Sequence, residues 1–272
     1  AGELGVIVAP AGIGKTWMLQ AIGASGMKKG LTVVHYSLEL NQTYVGLRYD
    51  TVFSGITTGN IKFYKEDVQK KIDQLKGNLY VKYYPTRSAT VQTLNAHLKQ
   101  LEMQSIKPDM VIVDYADIVK PIGTFREKRH SIGDNYERLR ELAGEFEIPV
   151  WTASQANRSA LEEDVIDASK VSEDYSKVMT SDFVMSISRK VEDKISNTAR
   201  CHVIKNRFGV DGMTYPMMMN TNIGKIEIYE SSTHGGKQQQ SKMNNSEEYL
   251  RKLAKNKYED FKIDGTKMEG FE

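Results

Sequence analysis

The chain has 272 residues and a formal net charge of +2, and 40% of its residues are hydrophobic and 26% charged. This composition is ordinary for a globular protein and excludes collagen-like, disulfide-rich and wholly disordered chains. Cys201 is the single cysteine, so an intrachain disulfide is impossible and we expect a reducing compartment. The apolar runs are too short to cross a bilayer, and the balanced charge argues against a protein that coats DNA by charge alone. We therefore expect a soluble intracellular protein with no membrane partner.

Short apolar segments alternate with longer helical stretches over the first 154 residues, a pattern typical of parallel βαβ units and an α/β fold. The predicted strands are Leu4–Ala9, Thr32–Ser37, Leu79–Tyr84, Met110–Asp114 and Val150–Ser154. The predicted helices are Lys15–Met27, Asn41–Ser54, Lys65–Leu75, Thr90–Gln104 and Ser131–Phe146. The almost continuously apolar strands favour a mostly parallel sheet covered by helices on both faces.

After residue 180 the pattern changes to closely spaced strands with no helix predicted between them. These strands are Asp182–Ser188, Arg200–Lys205, Thr214–Asn220 and Lys225–Tyr229. They predict an antiparallel extension at one edge of the same sheet. From Ser231 the sequence is a polar linker, followed by a short charged helix predicted over Ser246–Lys257. We therefore expect one domain over residues 1–230 and a tail over residues 231–272.

A candidate phosphate-binding loop, Ala9–Thr16, joins the first strand to the first helix. It fits the pattern G-x-x-x-x-G-K-[ST] except at its first position, where Ala9 replaces glycine. Gly12 and Gly14 let the backbone approach phosphate oxygens, and the following helix points its positive dipole end at them. Lys15 is expected to reach the β- and γ-phosphates and Thr16 to ligate Mg²⁺. A glycine-rich turn containing Lys-Thr by chance is the alternative, but the strand–loop–helix context favours a nucleoside triphosphate site.

Three acidic residues are candidates for the remaining chemistry of such a site. Asp114 ends a predicted strand, where an acid supports the Mg²⁺ shell. A strand-terminal aspartate that caps the next turn is the alternative, and Asp117, beyond the strand, is a weaker metal candidate. Glu39 follows the second strand, and ligands collect at the carboxyl ends of parallel strands, so we predict that it activates water. It could also be a plain surface glutamate.

Three further side chains lie at the ends of predicted strands or just after them. Gln155, one residue past the fifth strand, can sense the γ-phosphate by hydrogen bonding, or it is an exposed loop residue. Lys205 and Arg207 precede the Phe208–Gly209 turn. Two cations at a hairpin tip suit insertion into the phosphate site of a neighbouring subunit. Taken alone, this segment is better explained as a solvated basic turn.

Together these segments resemble the RecA-type ATPase domain of hexameric replicative helicases, the DnaB family, and most of all the replicative helicases of tailed bacteriophages. The matching segments are Ala9–Thr16, Tyr36–Leu40, Val111–Tyr115, Trp151–Ala156 and Ile204–Gly209. The bacteriophage likeness rests on Val81–Thr86, Trp151–Ala153 and the Arg207–Gly209 turn. The resemblance covers about Gly2–Tyr229, and alanine at the first loop position is common in this family.

The resemblance implies an ATP-driven DNA helicase motor that moves on single-stranded DNA and unwinds duplex, with ATP and Mg²⁺ as cofactors. Nucleotide would be held by Ala11, Gly12, Ile13, Gly14, Lys15, Thr16 and Trp17. The metal would be held by Thr16 and Asp114. Glu39 would activate water, Gln155 would sense the γ-phosphate, and Lys205 and Arg207 would enter the adjacent subunit's site. Arg48 falls where the family places another arginine at the nucleotide, although a surface role fits it nearly as well.

Two segments are candidates for contact with single-stranded DNA. The family binds DNA through loops that face a central channel, and one such loop corresponds to Asp167–Lys177, which carries Lys170 and Lys177. The other candidate, Phe125–His130, carries Arg126, Lys128 and Arg129 and is predicted to be a flexible loop. Either segment could instead be a solvated surface loop.

The resemblance also concerns assembly. The family has an N-terminal collar domain and a linker helix, which do not precede Gly2 here. We therefore expect identical subunits to form a hexameric ring in the full-length protein, and this stretch alone to be monomeric or filamentous. The tail after Ser231 could recruit primase or a helicase loader, or only aid solubility. We expect the protein to act in the cytoplasm of an infected bacterium. A RecA- or KaiC-like ATPase that forms filaments or regulatory rings is the alternative, and a nucleotide-binding module without motor activity is another.

Overall fold

The computed structural model describes residues 2–125, 127–171 and 175–230. Within these ranges the strands are β1 (Leu4–Ala9), β2 (Thr32–Ser37), β3 (Asn78–Tyr83), β4 (Met110–Asp114), β5 (Val150–Gln155), β6 (Phe183–Ser188), β7 (Thr198–Asn206), β8 (Thr214–Asn220) and β9 (Lys225–Ile228). They form one sheet in the order β3-β2-β4-β5-β1-β6-β7-β8-β9. The first six strands pair in parallel, and β6 through β9 pair antiparallel.

The helices are α1 (Lys15–Lys28), α2 (Gln42–Ser54), α3 (Lys65–Ile72), α4 (Val91–Met103), α5 (Lys128–Phe146), α6 (Ser176–Thr180) and α7 (Val191–Ser196). Their ends follow local chemistry. The Asn41 side chain accepts from the Tyr44 amide at 3.0 Å at the start of α2, and Thr90 and Thr93 cap each other at the start of α4. Gly55 ends α2 in the left-handed conformation.

Alternating side chains divide the core between the two faces of the sheet. In β1, Leu4, Val6 and Val8 belong to the cluster that packs against α4 and α5, whereas Ile7 and Ala9 belong to the cluster that packs against α1 and α2. Both faces are therefore covered, as the apolar strands predicted.

Most predicted elements are confirmed within one to three residues, and the antiparallel extension lies at the predicted edge. The prediction of no helix among the last strands is wrong, since α7 lies between β6 and β7. It is a short turn that the Asp193 carboxylate stabilises by accepting from the Lys190 amide at 2.8 Å and pairing with Arg200 at 2.9 Å. Six residues are too few to show a helical period in the sequence. The predicted tail over 231–272 lies outside the described residues, and no described helix has the length and apolarity that a membrane crossing requires.

Strand register defines two opposite edges of the sheet. Ala9 is level with Gln155, and Ser37 is level with Asp114, so the carboxyl ends of β1, β2, β4 and β5 meet at one edge. At the amino ends, Gly5 pairs with Phe183, which in turn pairs with Asn206 at the end of β7. The β7–β8 turn therefore lies at the edge opposite to the loop that follows β1.

Candidate active site

The loop between β1 and α1 has the backbone that its glycines predict. Gly12 and Gly14 have φ angles of 73° and 118°, in the left-handed region that favours glycine. The Lys15 ammonium donates to the carbonyl oxygens of Ala9 at 2.9 Å and Pro10 at 3.1 Å, so it curls over the loop. The amino end of α1 and a lysine thus face the same concave loop, an arrangement suited to phosphate.

Four further charged side chains converge on this loop. Burial lowers the pKa of Lys15, while the nearby carboxylates of Glu39, Asp117 and Asp114 act to raise it. Burial likewise lowers the pKa of Arg48, against the effects of Asp114 and Glu39. Glu39, which follows β2, therefore lies within electrostatic reach of Lys15, and Arg48, on α2, lies within electrostatic reach of Asp114 and Glu39. Their chemical roles stay predictions.

Arg48 is also in contact with the first helix. Its guanidinium carbon lies 4.8 Å from the centre of the Trp17 ring, a cation–π geometry. This contact connects α2 to the helix that follows the phosphate loop. The role of Arg48 at a nucleotide stays a prediction.

Asp114 is buried at the end of β4, and neither of its carboxylate oxygens has a well-formed hydrogen bond to another described group. Burial raises the pKa of Asp114 to about 6, and Glu39 acts in the same direction. The Thr16 hydroxyl and the cations Arg48 and Lys15 act to lower it. A buried carboxylate with unused lone pairs beside a threonine hydroxyl is the donor set that Mg²⁺ takes when phosphates and water complete its shell.

Burial of the ionised Asp114 carboxylate lowers the free energy of unfolding, and a substitution should reveal this effect. Because burial raises its pKa from 3.8 to about 6, the stability that its protonated form contributes is complete below pH 3.8 and is lost as the pH rises through 6. We expect Asp114→Asn, without Mg²⁺ or nucleotide, to raise the Tm at pH 7.5 by roughly 3–8 °C. The gain should vanish near pH 4, as pH-dependent thermal melts would show. A lower Tm for the variant at pH 7.5 would contradict the burial penalty.

Asp117 lies in a short helical turn after β4 and is bonded to the end of β5. Its Oδ2 accepts from the backbone N–H of Gln155 at 3.2 Å and from the Ser154 hydroxyl at 3.3 Å. Its Oδ1 lies 3.0 Å from the Lys177 ammonium and accepts from the Tyr136 hydroxyl at 2.7 Å. The weaker hypothesis of Asp117 as a metal ligand is thus disfavoured, because protein groups occupy both of its oxygens.

The position of Lys177 differs from the one predicted from the sequence. It was expected on a DNA-facing loop, but its side chain is 0% exposed and paired with Asp117. The reason is that α6 begins at Ser176 and packs on α5, which turns Lys177 inward. The prediction that Lys177 binds DNA is therefore wrong.

The other candidate DNA contacts stay predictions. The Lys170 ammonium pairs with Glu163 at 2.7 Å, and the Arg129 side chain pairs with Glu127 at 2.6 Å. The segment predicted as a loop becomes α5 from Lys128 onward. Arg126 and the side chain of Lys128 lie outside the described part of the chain.

Lys205 and Arg207 lie at the end of β7, beside the buried carboxylate of Asp182. Arg207 Nη1 donates to Asp182 Oδ1 at 2.7 Å, and Arg140 binds the same carboxylate through Nη2 at 3.0 Å and Nε at 3.2 Å. The Leu4 amide donates to Asp182 Oδ2 at 3.0 Å. We name Lys205 and Arg207 together the finger. No sequence pattern indicates Asp182 or Arg140 as partners of the finger, because these contacts join residues far apart in the chain.

The finger is far from the phosphate loop of its own chain. Asp182 is bonded to Leu4 at the start of β1, and the loop follows Ala9 at its end. Five residue steps of about 3.3 Å separate these positions by about 16 Å along the strand. A role for the finger at a nucleotide therefore requires the nucleotide of another chain.

Comparison with known proteins supports one family. The sequence profile described as "DnaB-like helicase C terminal domain" matches residues 1–227. The chain is 28% identical over 247 residues to the DnaB-like replicative helicase of Enterobacteria phage T4, covering 85% of this chain and 52% of the relative. It is 23% identical over 164 residues to the replicative DNA helicase DnaB of Helicobacter pylori, covering 58% of this chain and 33% of the relative. The chain thus spans about half the length of the phage T4 relative.

Solved structures share the fold. One solved ATPase domain superposes with a TM-score of 0.71 at 17% identity, over 84% of this chain and 85% of that one. A DnaB-like replicative helicase, studied for its interactions with primase, superposes with a TM-score of 0.72 at 17% identity, over 84% of this chain and 58% of that one. These matches confirm the predicted RecA-like α/β fold with its antiparallel edge. The chain belongs to the family of DnaB-like helicase C-terminal domains.

Proposed function

We propose that this chain is the ATP-driven motor domain of a replicative DNA helicase, which moves on single-stranded DNA, unwinds duplex and hydrolyses ATP between identical subunits. The observation that carries the proposal is the placement of two half-sites at opposite edges of one sheet. The phosphate loop lies at the carboxyl edge and the finger at the amino edge. A chain built in this way completes its site only with a second copy, as in rings and filaments with head-to-tail contacts.

In this proposal the first half-site binds ATP. The loop residues Ala11 to Trp17 surround the phosphates, Lys15 contacts the β- and γ-phosphates, and Arg48 adds positive charge beside Trp17. Glu39 orients and deprotonates the attacking water. Gln155, whose backbone is fixed at the end of β5, senses the γ-phosphate.

Mg²⁺ fits this half-site through Thr16 and Asp114. The unused oxygens of the buried Asp114 carboxylate support this assignment. When bound, Mg²⁺ would neutralise charge on the phosphates during transfer to water. The protein's part is to hold the Asp114 carboxylate and the Thr16 hydroxyl in place.

The second half-site supplies cations to the neighbouring nucleotide. Arg207 retains an exposed guanidinium while Asp182 holds it in position. Neutralisation of the γ-phosphoryl charge by an arginine in trans is worth about 10³–10⁵ in rate. Loss of that charge after hydrolysis weakens the contact between subunits and moves them relative to one another.

The DNA contacts and further partners belong to the same proposal. Lys170 and the Arg126–Arg129 segment are the candidates for single-stranded DNA, and a hexameric ring of the full-length protein would bring six such sets to one channel. Primase is proposed as a partner by analogy with the solved DnaB-like helicase that was studied for its interactions with primase. A helicase loader is a second proposed partner.

The test is ATP hydrolysis by the complete protein with and without single-stranded DNA, followed by unwinding of a forked duplex. We expect ATP turnover that rises with single-stranded DNA, and duplex separation that requires ATP. ATP turnover with strand pairing but no unwinding would favour the RecA- or KaiC-like alternative. Nucleotide binding without turnover would favour a binding module.

A further inference from the structure

A fully buried lysine lies between the nucleotide site and the finger. The Lys177 ammonium is 3.0 Å from Asp117 Oδ1, donates to the Ser154 hydroxyl at 3.1 Å, and lies 5.6 Å from the centre of the Tyr136 ring. Lysine is almost never fully buried unless it is paired, because removing its charge from water is costly. The groups that pair with Lys177 therefore indicate which part of the structure it holds in place.

Asp117 transmits the contact to the end of β5. The same carboxylate that binds Lys177 accepts from the backbone N–H of Gln155 and from the Ser154 hydroxyl. Asp117 is also near enough to Lys15 to act on its pKa. The Lys177–Asp117 pair therefore fixes the backbone at the candidate γ-phosphate sensor and lies within electrostatic reach of the phosphate lysine.

The helix that carries Lys177 is held at its other side by the finger. The Lys205 ammonium donates to the carbonyl oxygens of Val178 at 2.9 Å and Met179 at 2.7 Å. The Ser181 hydroxyl closes the same helix by donating to the Lys177 carbonyl at 2.6 Å. The helix α6 thus contacts the end of β5 through the Lys177 side chain and contacts Lys205 of the finger through its backbone carbonyls.

We propose that Lys177 is a positioning residue, and this proposal rests on the function proposed above. Through Asp117, Lys177 fixes the end of β5 that carries Gln155. It also connects that end of β5 to α6, the helix whose backbone carbonyls bind Lys205. Without the pair, the backbone N–H of Gln155 loses its charged acceptor, and the end of β5 that carries the Gln155 side chain is no longer held in one orientation. The sensor then discriminates less well between nucleotides with and without a γ-phosphate. Binding of the shared diphosphate part depends on the loop and is left intact.

The test compares the affinities of the full-length protein for ATPγS and ADP, measured with fluorescent nucleotides. The variant Lys177→Met/Asp117→Asn removes both buried charges together, so no unpaired charge is left in the core. We expect the preference for ATPγS over ADP to fall about fivefold, and ADP affinity to stay within about twofold. An unchanged preference would overturn the proposal, because a purely structural pair would not affect the two nucleotides differently.

The control is Arg200→Met/Asp193→Asn, which removes a partly buried ion pair between β7 and α7. It should keep the wild-type preference even if its Tm falls by a similar amount. If the double variant does not fold, the ratio of ATPγS to ADP affinity is measured for Lys177→Met, which removes the buried ammonium and leaves the Asp117 carboxylate with its Tyr136 and Ser154 donors. Wild-type protein that binds ATPγS no more tightly than ADP would count against the proposed function itself, before any variant is compared.

Discussion

Arg207→Ala is expected to lower DNA-stimulated ATP turnover by about 10³-fold, with ATP affinity nearly unchanged. Arg207 lies at the amino edge of the sheet, so its removal leaves the phosphate loop of the same chain intact. The fold should survive, because Arg140 still pairs with the buried Asp182 carboxylate. The measurement is steady-state ATP hydrolysis at saturating single-stranded DNA, with nucleotide affinity titrated in parallel.

The matched control for this change is Arg138→Ala. Arg138 is an arginine on α5 whose partner is Asp134 within the same helix, and its loss removes only that local ion pair. Turnover within about twofold of wild type is expected for it. If Arg207→Ala kept full turnover in assembled protein, a role for the finger in hydrolysis would be wrong.

The second large effect is expected for Glu39→Gln. Glutamine keeps the shape and hydrogen-bonding capacity of the side chain but cannot take a proton from water, so kcat should fall by about 10²–10⁴-fold. KM for ATP should change little, because the loop and Asp114 remain. Single-turnover hydrolysis with radiolabelled ATP would separate the chemical step from binding and release.

Glu66→Gln is the control, since Glu66 is an exposed glutamate in the first turn of α3. It should hydrolyse ATP at the wild-type rate. A Glu39→Gln protein that hydrolyses ATP in the single-turnover experiment as fast as wild type would show that another group activates the water.

The parts of the fold that could be predicted were those set by local pattern. β1 and β4 have the predicted bounds because continuous apolar runs end at a glycine-rich loop or a single aspartate. The phosphate loop was predictable because its glycines have a local conformational role. Glu39 and Asp114 could be placed together from one rule, that parallel strands end at the same edge.

What could not be predicted depends on contacts between distant parts of the chain. Nothing in the sequence around Lys177 distinguishes a buried lysine from one exposed to DNA. Its burial depends on Asp117, about sixty residues earlier, and on the packing of α6 against α5. The pairing of Arg207 with Asp182 likewise requires the register of β6 and β7. α7 was missed because its six residues are too few for a helical pattern.

The most direct test of a site shared between two chains is a mixing experiment. Lys15→Ala should abolish nucleotide binding in one chain, and Arg207→Ala should remove the finger from another, so neither protein alone should hydrolyse ATP. In an equal mixture, about a quarter of the head-to-tail contacts should pair an intact loop with an intact finger. We predict that ATP turnover reappears in the mixture at up to that fraction of wild type. Turnover no higher than the sum of the two inactive proteins, in assemblies shown by affinity pull-down to contain both chains, would contradict a shared site.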